Sequence, residues 1–209
     1  PYASWIYAHA DTHGLPNGIV NREKQYIGSP LDFENWVKEV LDSSPEADVE
    51  IKSLYQSDGI EMDVDIIPFH SFPEGRFALS LVIIEDDAYD EDNRRLYRQH
   101  NAYAGGGEGE MGGFENLPEW IEDYHFNDVV RYVDGDPAGM NIDVELKAGK
   151  IYSFNYRLPV SENVLDIEKC RIAALLIDTR NGSIVNADSK RLSDFTGIHT
   201  ITNEHNRIL

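Results

Sequence analysis

The most strongly patterned stretch of the chain is RFALSLVIIE at residues 76–85. From Phe77 to Ile83 every second residue is large and apolar, and the residues between them are small or apolar as well. A strand that is apolar on both faces is typical of the centre of a sheet that is covered on both sides. We therefore predict a central strand here, which forms part of the scaffold rather than a binding site.

Further strands are predicted after residue 45, at 49–55 and, from the alternation of apolar and polar residues, at 60–66, 142–146 and 152–158. Residues 171–178 form a second segment that is apolar on both faces, and the hairpin signal RNGS at 180–183 leads into a strand at 184–187. No helix-length pattern separates the later strands, and parallel pairing needs such crossovers, so we expect antiparallel sheets. Short strands joined by turns rich in glycine, asparagine and proline favour a mainly β fold, an antiparallel, immunoglobulin-like β-sandwich.

The first 44 residues have a different pattern, in the order helix, strand, helix. Residues 1–12 fit the end of a helix that stops at Gly14, and a very short strand is predicted at 19–20. Ser29 and Pro30 suit the start of a second helix, which has one apolar face and ends near residue 43. The chain is thus predicted to divide into an α/β segment at 1–44, a β domain at 45–195 and a tail at 196–209.

Residues 86–123 interrupt the β pattern with a long acidic insertion that contains the run GGGEGEMGG at 105–113. A short helix is predicted within 90–100. Insertions of this length are usually functional or disordered. We expect a mobile loop, because glycine-rich segments lose much conformational entropy when they become ordered.

The charge of the chain narrows the classes of partner. Its 209 residues contain 18 Lys and Arg against 38 Asp and Glu, a formal net charge of −20. Such a surface repels phosphate backbones and anionic lipid, so we expect no binding to nucleic acid or to a membrane surface. No apolar run is long enough to span a bilayer, so no transmembrane segment is expected.

Residues with catalytic chemistry are few and incomplete. Cys170 is the only cysteine and stands at the entry to an apolar strand, where a buried, inert thiol is expected. His9 and His13 could share a helical face and bind zinc, but no third ligand is evident, and an exposed helix end is the alternative. His100 and His125 have acidic neighbours and fit either an acid–base pair or structural histidines. We therefore predict no catalytic residues and no cofactor.

Acidic residues at the start of the insertion are candidates for a calcium site. Asp86, Asp87, Asp90 and Asp92 supply the hard oxygen ligands that calcium prefers. Their spacing does not fit the EF-hand loop. The alternative is an acidic loop that is exposed to solvent.

Aromatic residues around the same insertion are the best lead for a binding surface. They are Tyr97, Tyr103, Trp120, Tyr124 and Tyr132. Exposed aromatic side chains stack on sugars or anchor protein partners, whereas packing at one end of a sandwich is the alternative. The ligand is expected to be a protein or a glycan, and the predicted ligand-binding residues are Tyr97, His100, Trp120, Tyr124, His125 and Arg131.

Several short motifs, taken in order, resemble the outer membrane protein 28 family of Bacteroidetes surface lipoproteins. They are GLP at 14–16 with VNR at 20–22, ALSLVIIED at 78–86, YHFNDVVR at 124–131 and VNA at 185–187. The resemblance runs from residue 2 to residue 192. It implies a thioredoxin-like front part before the β-rich part, with the GLP turn before a thioredoxin strand and the helix at 30–41 as the last thioredoxin helix.

The chain departs from this family pattern in three respects. The first thioredoxin strand and any Cys-x-x-Cys after it are absent, and without those thiols disulfide exchange cannot run. The family usually has histidines at the positions of Phe126 and Asp128. The insertion at 86–123 is atypical of the family.

The resemblance implies a location more clearly than a reaction. It indicates a non-catalytic lipoprotein module of the outer membrane or periplasm, attached to the surface, with a lipid anchor upstream of this chain. A binding or assembly role fits the aromatic insertion. The alternative is a remnant of a thioredoxin-like thiol oxidoreductase whose redox motif lies upstream.

Overall fold

The structure is mainly β, and its strands pair in antiparallel fashion. The computed structural model describes residues 18–25, 30–56, 59–107 and 109–194. The helices are α1 (Pro30–Asp42) and α2 (Arg94–Tyr97), with 3₁₀ turns at Phe114–Asn116, Ile167–Lys169 and Leu192–Asp194. The strands are β1 (Ile19–Val20), β2 (Lys24–Gln25), β3 (Ala47–Gln56), β4 (Ile60–Pro68), β5 (Phe77–Glu85), β6 (Gln99–His100), β7 (Trp120–Ile121), β8 (Val129–Val133), β9 (Met140–Asn141), β10 (Tyr152–Leu158), β11 (Cys170–Asp178) and β12 (Ile184–Arg191). The predicted mainly β, antiparallel fold is therefore confirmed.

Some sequence predictions fall outside the described residues. They concern the helix at 1–12, the zinc candidates His9 and His13, the GLP motif and the tail at 196–209. Within the described ranges, no helix combines the length and the apolar character needed to cross a membrane.

β5 lies at the centre of the larger sheet, as its two apolar faces predicted. The strand order is β12-β11-β5-β8, and β9 also pairs with β5. β11 follows the whole of β5, from Asp178 opposite Phe77 to Cys170 opposite Glu85. Apart from half-buried Ile84, every residue of β5 is buried.

The smaller sheet shares one hydrophobic core with the larger sheet. Its order is β10-β4-β3. The inward residues of β4 alternate with half-buried Glu61 and Asp63, as the sequence pattern predicted, whereas Asp65 is buried and accepts a hydrogen bond from Ser153 Oγ at 2.5 Å. Buried residues from both sheets form a single cluster that includes Ile51, Val64 and Leu158 on one side and Leu81 and Leu176 on the other.

Side chains close one seam between the two sheets. The edge strand β12 lies beside the edge strand β3. The backbone N–H of Ile51 donates to Asp188 Oδ2 at 2.9 Å, and Asn186 Nδ2 donates to the backbone oxygen of Ala47 at 3.0 Å. Backbone groups of β3 that β4 does not pair are thus satisfied from the other sheet.

The first described segment is a tight hairpin, β1–β2, which contacts the β domain. Asn21 and Arg22 at its turn have φ of 53° and 60°, the left-handed conformation that a type I′ turn needs at both central residues, and the backbone N–H of Glu23 donates to the oxygen of Val20 at 3.0 Å. Arg22 Nη1 donates to the oxygen of Pro137 at 2.8 Å, and the backbone N–H of Ile184 donates to the oxygen of Asn21 at 3.1 Å. This hairpin is therefore attached to β12 and to the turn before β9.

Helix α1 begins at Pro30, as the sequence predicted, but its side chains that the structure describes, those of residues 32–42, lie outside the shared core. The described residues of α1 are exposed or half-buried, and Leu41 is 77% exposed. No described residue of α1 belongs to the core cluster.

Two predicted elements differ from the structure. The strand predicted at 142–146 is absent, because the backbone of Ile142 donates to Phe77 whereas that of Leu146 donates to Phe72. These two bonds go to different segments while the chain crosses between sheets, and Val144 between them is exposed. The helix predicted within 90–100 is limited to α2, since residues 99–100 belong to β6.

Candidate functional site

The insertion at 86–123 has hydrogen-bonded structure of its own in its described residues. It contains α2, the small hairpin β6–β7 and the 3₁₀ turn at Phe114–Asn116. The sequence favoured a mobile loop because of its glycines. In the structure Gly112 and Gly113 have φ of 63° and 96°, a region that other residues rarely adopt, so these glycines permit the turn.

A buried carboxylate at the end of β5 connects the insertion to the scaffold. The side chain of Glu85 is 1% exposed and accepts a hydrogen bond from Arg131 Nε at 2.5 Å. It also accepts from the backbone N–H groups of Leu165 at 3.1 Å and Asp166 at 2.5 Å. A charge this buried is tolerated only with such partners.

Arg131 carries this connection onward to α2. Its Nη1 donates to the hydroxyl of Tyr97 at 3.2 Å. Burial opposes the charge of Arg131, but the hydrogen bonds to Tyr97 and Glu85 hold its pKa above the usual value. Arg131 stands on β8, a strand that the sequence analysis missed although Val129–Val133 is rich in β-branched residues.

The carboxylate of Asp86 is paired with two arginines. Its Oδ1 accepts from Arg171 at 2.6 Å, and its Oδ2 lies 3.3 Å from Arg191 Nη2. Arg171 also pairs with Asp128, whose backbone N–H donates to Asp86 at 3.1 Å. The hydrogen bond from Arg171 and that from Asp128 lower the pKa of Asp86.

Asp87 has a similar set of partners. Lys169 Nζ lies 2.5 Å from its Oδ2, and His125 Nδ1 lies 2.6 Å from its Oδ1. The hydrogen bonds from Lys169 and His125 lower the pKa of Asp87. The ring of His125 also stacks on Tyr89, with ring centroids 4.7 Å apart.

The calcium candidates are therefore not brought together as a ligand set. Asp86 and Asp87 have basic partners, and Asp90 accepts hydrogen bonds from Asn93 and from the backbone of Asp92 just before α2. In the part of the chain that the structure describes, no group of three or more His, Cys, Asp and Glu is arranged to hold a metal ion.

Aromatic rings pack the insertion against its base. Tyr124 meets Phe126 edge to face at 4.8 Å between ring centroids, and Phe126 lies 6.4 Å from Tyr97. Tyr97 in turn meets Tyr89 at 6.2 Å. Such pairs add to burial by about 0.5–1.5 kcal/mol each. Tyr97 and His125, predicted to bind ligand, thus belong to the support of the site.

The hairpin β6–β7 presents a second aromatic pair. His100 lies opposite Trp120, and their ring centroids are 4.8 Å apart. The guanidinium of Arg98 covers the Trp120 ring at 4.1 Å. This arrangement fixes one rim of the insertion by contacts between neighbouring side chains.

Asn101 organises the turn that follows β6. It is buried, and its Nδ2 donates to the oxygens of Phe114 at 2.7 Å, Pro118 at 3.2 Å and Leu117 at 3.3 Å. Its Oδ1 accepts from the backbone N–H of Tyr103 at 3.1 Å. One amide side chain therefore holds both sides of the turn together. The sequence analysis did not identify this residue.

These contacts leave an open cleft of about 710 Å³ on the insertion. Its lining residues are Gln99, His100, Asn101, Ala102, Tyr103, Phe114 and Tyr124. Of the residues predicted to bind ligand, His100 and Tyr124 line the cleft, and Trp120 contacts His100 from outside it. Arg131 does not line it. Phe114 was missed, because glycines on its N-terminal side hide it from any periodic pattern.

The single thiol lies away from the cleft. Cys170 is buried, and burial raises the pKa of its thiol to about 12. A protonated, buried thiol is a poor nucleophile. The predicted burial of the cysteine is confirmed.

Comparison with known proteins shows a shared fold. No family model and no curated protein match the chain. Among solved structures, HBP35 of Porphyromonas gingivalis is similar with a TM-score of 0.63 and 15% identity, over 98% of this chain and 62% of that chain. The chain thus spans less than two thirds of that structure's length. At this identity the similarity concerns the fold alone.

Two further structures are similar over about 70% of this chain. A domain of the outer membrane lipoprotein Omp28 from Porphyromonas gingivalis has a TM-score of 0.35 and 14% identity, over 70% of this chain and 88% of that chain. Spo0M, a sporulation control protein from Bacillus subtilis, has a TM-score of 0.34 and 11% identity, over 71% of this chain and 48% of that chain. Neither value supports an argument about this chain, so membership of the Omp28 family stays a prediction.

Proposed function

We propose that this chain is a non-catalytic binding module whose ligand site is the cleft on the insertion at 86–123. The observation that carries the proposal is a cleft with aromatic walls on a segment joined to the central strand through Glu85. Exposed rings of Tyr103 and Phe114 provide contact area with few rotatable bonds, which favours recognition. Tyr97, His125 and Arg131 hold the base of the site.

The rest of the chain serves as the scaffold in this proposal. We propose that the two sheets form an immunoglobulin-like sandwich and that the β1–β2 hairpin with α1 is the end of a thioredoxin-like segment. The shared core supports the first part, because a site on rigid elements keeps its geometry better than one on loops alone.

The proposed location is the outer membrane or periplasm, with attachment through a lipid anchor upstream. The motifs at 78–86 and 124–131, which resemble a family of surface lipoproteins, support this location. Their residues also build the base of the site, since Glu85, His125 and Arg131 belong to them.

A non-catalytic role is supported by the state of the candidate nucleophile and base. Cys170 has a thiol pKa of about 12, and His125 is occupied by Asp87 and Tyr89. The thiol oxidoreductase alternative depends on paired cysteines upstream of this chain. Insulin reduction by the full-length parent, with a Cys-x-x-Cys in its upstream sequence, would favour that alternative.

Binding measurements with cleft variants test the proposal. The full chain is immobilised and screened against glycans, peptides and host proteins, and hits are repeated with Y103A/F114A. The matched control is F69A, an exposed phenylalanine that does not line the cleft. We expect Y103A/F114A to weaken binding about tenfold or more, since stacked rings contribute about 1 kcal/mol each. A screen without a hit, or hits that Y103A/F114A binds unchanged, would refute the proposal.

A further inference from the structure

Most of the charge around the cleft is negative. Between residues 99 and 124 the chain contains no lysine and no arginine, and Arg98, just before this stretch, lies over the Trp120 ring. The exposed carboxylates nearest the lining residues in sequence are Glu110, Glu119, Glu122 and Asp123. Glu119 Oε1 also lies 3.7 Å from the ring of His100, which lines the cleft. The basic side chains at the end of β5 are already paired with Glu85, Asp86 and Asp87. The carboxylates near the cleft outnumber its basic neighbours, so an anionic ligand would meet net repulsion there.

Polar groups suited to a neutral ligand are mostly occupied. The Asn101 amide uses both ends inside the turn, and Gln99 Nε2 donates to the backbone oxygen of His100 at 2.8 Å. Recognition of a sugar depends on several fixed polar groups that pair with its hydroxyls. The amides of this cleft are held by the protein itself, so a glycan would find few fixed partners beyond the ring hydroxyls.

Aromatic side chains in the cleft and carboxylates next to its lining residues in sequence, called the acidic rim below, together suit a cation on an apolar stem. The faces of tyrosine and phenylalanine rings attract ammonium and guanidinium groups. Lysine and arginine bury their methylene stems against apolar surface while the charged head stays near water or carboxylates. The rings of Tyr103, Phe114 and Tyr124 supply the aromatic surface, and the carboxylates supply the negative charge for the head group.

We infer that the cleft binds a basic peptide segment of a partner protein, with a lysine or arginine side chain against its aromatic wall. This inference rests on the proposed binding function and names the class of partner. It goes beyond the general attraction of cations to an acidic protein, because it places recognition at one site.

The test measures anisotropy of a labelled lysine-rich peptide titrated with the full chain. The rim variant E119Q/E122Q/D123N is compared with E74Q/D143N/E162Q, which removes the same charge at exposed positions outside residues 99–124. We expect the rim variant to weaken binding about tenfold and the control variant to change it less than about twofold. Y103A/F114A should also weaken binding, and melting temperatures of all variants serve to check that they fold.

Two comparison ligands make each outcome decisive. The same peptide with acetylated lysines should lose most of its affinity, because acetylation removes the charge. Equal binding of the acetylated peptide, or equal losses in the rim and control variants, would overturn the inference. A neutral hexasaccharide that binds the cleft while the basic peptide does not would overturn the inference but leave the proposed function standing. Failure of every ligand class would count against both.

Discussion

A buried charge lies at each end of β5, but the two charges have partners from different parts of the molecule. Just before the strand, Arg76 is 8% exposed, contacts Asp178 Oδ1 at 2.5 Å and donates to Glu46 Oε2 at 2.7 Å. Asp178 ends β11 in one sheet, and Glu46 precedes β3 in the other. The Arg76 cluster therefore joins the two sheets to each other.

At the opposite end, Glu85 joins the scaffold to the candidate site. Its partners are Arg131 on β8 and the backbone of Leu165 and Asp166, and Arg131 reaches α2 through Tyr97. A buried ion pair thus stands at each end of β5: one joins the two sheets, and the other joins the scaffold to the candidate site. Disruption at either end should affect stability, but only disruption at the Glu85 end should also affect the cleft.

Replacing Glu85 should have the largest effect. Glu85→Gln leaves the guanidinium of Arg131 buried without a charged partner, which costs about 3–5 kcal/mol. We expect that loss in the free energy of unfolding, measured with urea, and a weaker affinity of the cleft for its ligand. Glu162→Gln, an exposed glutamate, is the control and should leave both unchanged. An unchanged ligand affinity in a folded Glu85→Gln variant would contradict the proposed link from Glu85 to the cleft.

Replacing Arg76 should be nearly as costly but should not reach the cleft. Arg76→Met leaves Asp178 with Arg180 as a remaining partner, at 2.9 Å, so we expect a loss of about 3 kcal/mol. Urea unfolding measures the loss, and ligand titration of the folded protein should give an unchanged dissociation constant. A parallel loss of affinity would show that the two ends are not independent.

Removing the Asn101 side chain should act locally. Asn101→Ala leaves the oxygens of Phe114 and Pro118 and the N–H of Tyr103 without this partner, at a cost of about 1–3 kcal/mol. We expect faster amide hydrogen exchange at Tyr103 and Asn116 and a lower affinity of the cleft for its ligand. Amide hydrogen exchange in β5 should change little. Asn163→Ala, an exposed asparagine, is the control. Unchanged exchange in Asn101→Ala would argue against its role in the turn.

The smallest expected effect is the loss of unfolding free energy in acid that comes from Asp86, the residue next to Glu85. The pKa of Asp86 is lower in the folded protein, through hydrogen bonds from Arg171 and Asp128. Its stabilisation is present above the unfolded pKa of about 3.9 and is lost as the pH falls through the folded value. Asp86→Asn should therefore show a smaller decrease in unfolding free energy between about pH 7 and pH 3 than the parent. An identical decrease in both proteins would exclude a contribution from Asp86.

Much of the scaffold could be predicted from the sequence because its signals are local. The double apolar patterns of 76–85 and 171–178 identified β5 and β11, and alternation identified β4 and β10. β8 was missed although it is rich in β-branched residues. The strand predicted at 142–146 is absent because its backbone groups bond to two different distant segments.

The site was harder to predict for the same physical reason. Aromatic residues pointed to the insertion, and two of the predicted residues, His100 and Tyr124, line its cleft. Glu85, by contrast, was predicted only as the last residue of the central strand, because its partners at Arg131 and Leu165 are 46 and 80 residues away. Asn101 and Cys170 show the same difference. The apolar residues around Cys170 predicted that it is buried, whereas no sequence pattern identifies Asn101 as the buried amide that holds its turn together.

The seam between β12 and β3 has a consequence for how copies of the chain meet. Exposed strand edges recruit strands from neighbouring molecules and lead to aggregation. Here Asp188 and Asn186 occupy the N–H of Ile51 and the oxygen of Ala47 with side chains. A strand from a second molecule would have to displace these bonds before it could add to β3, so this side of the protein resists edge-to-edge assembly at high concentration.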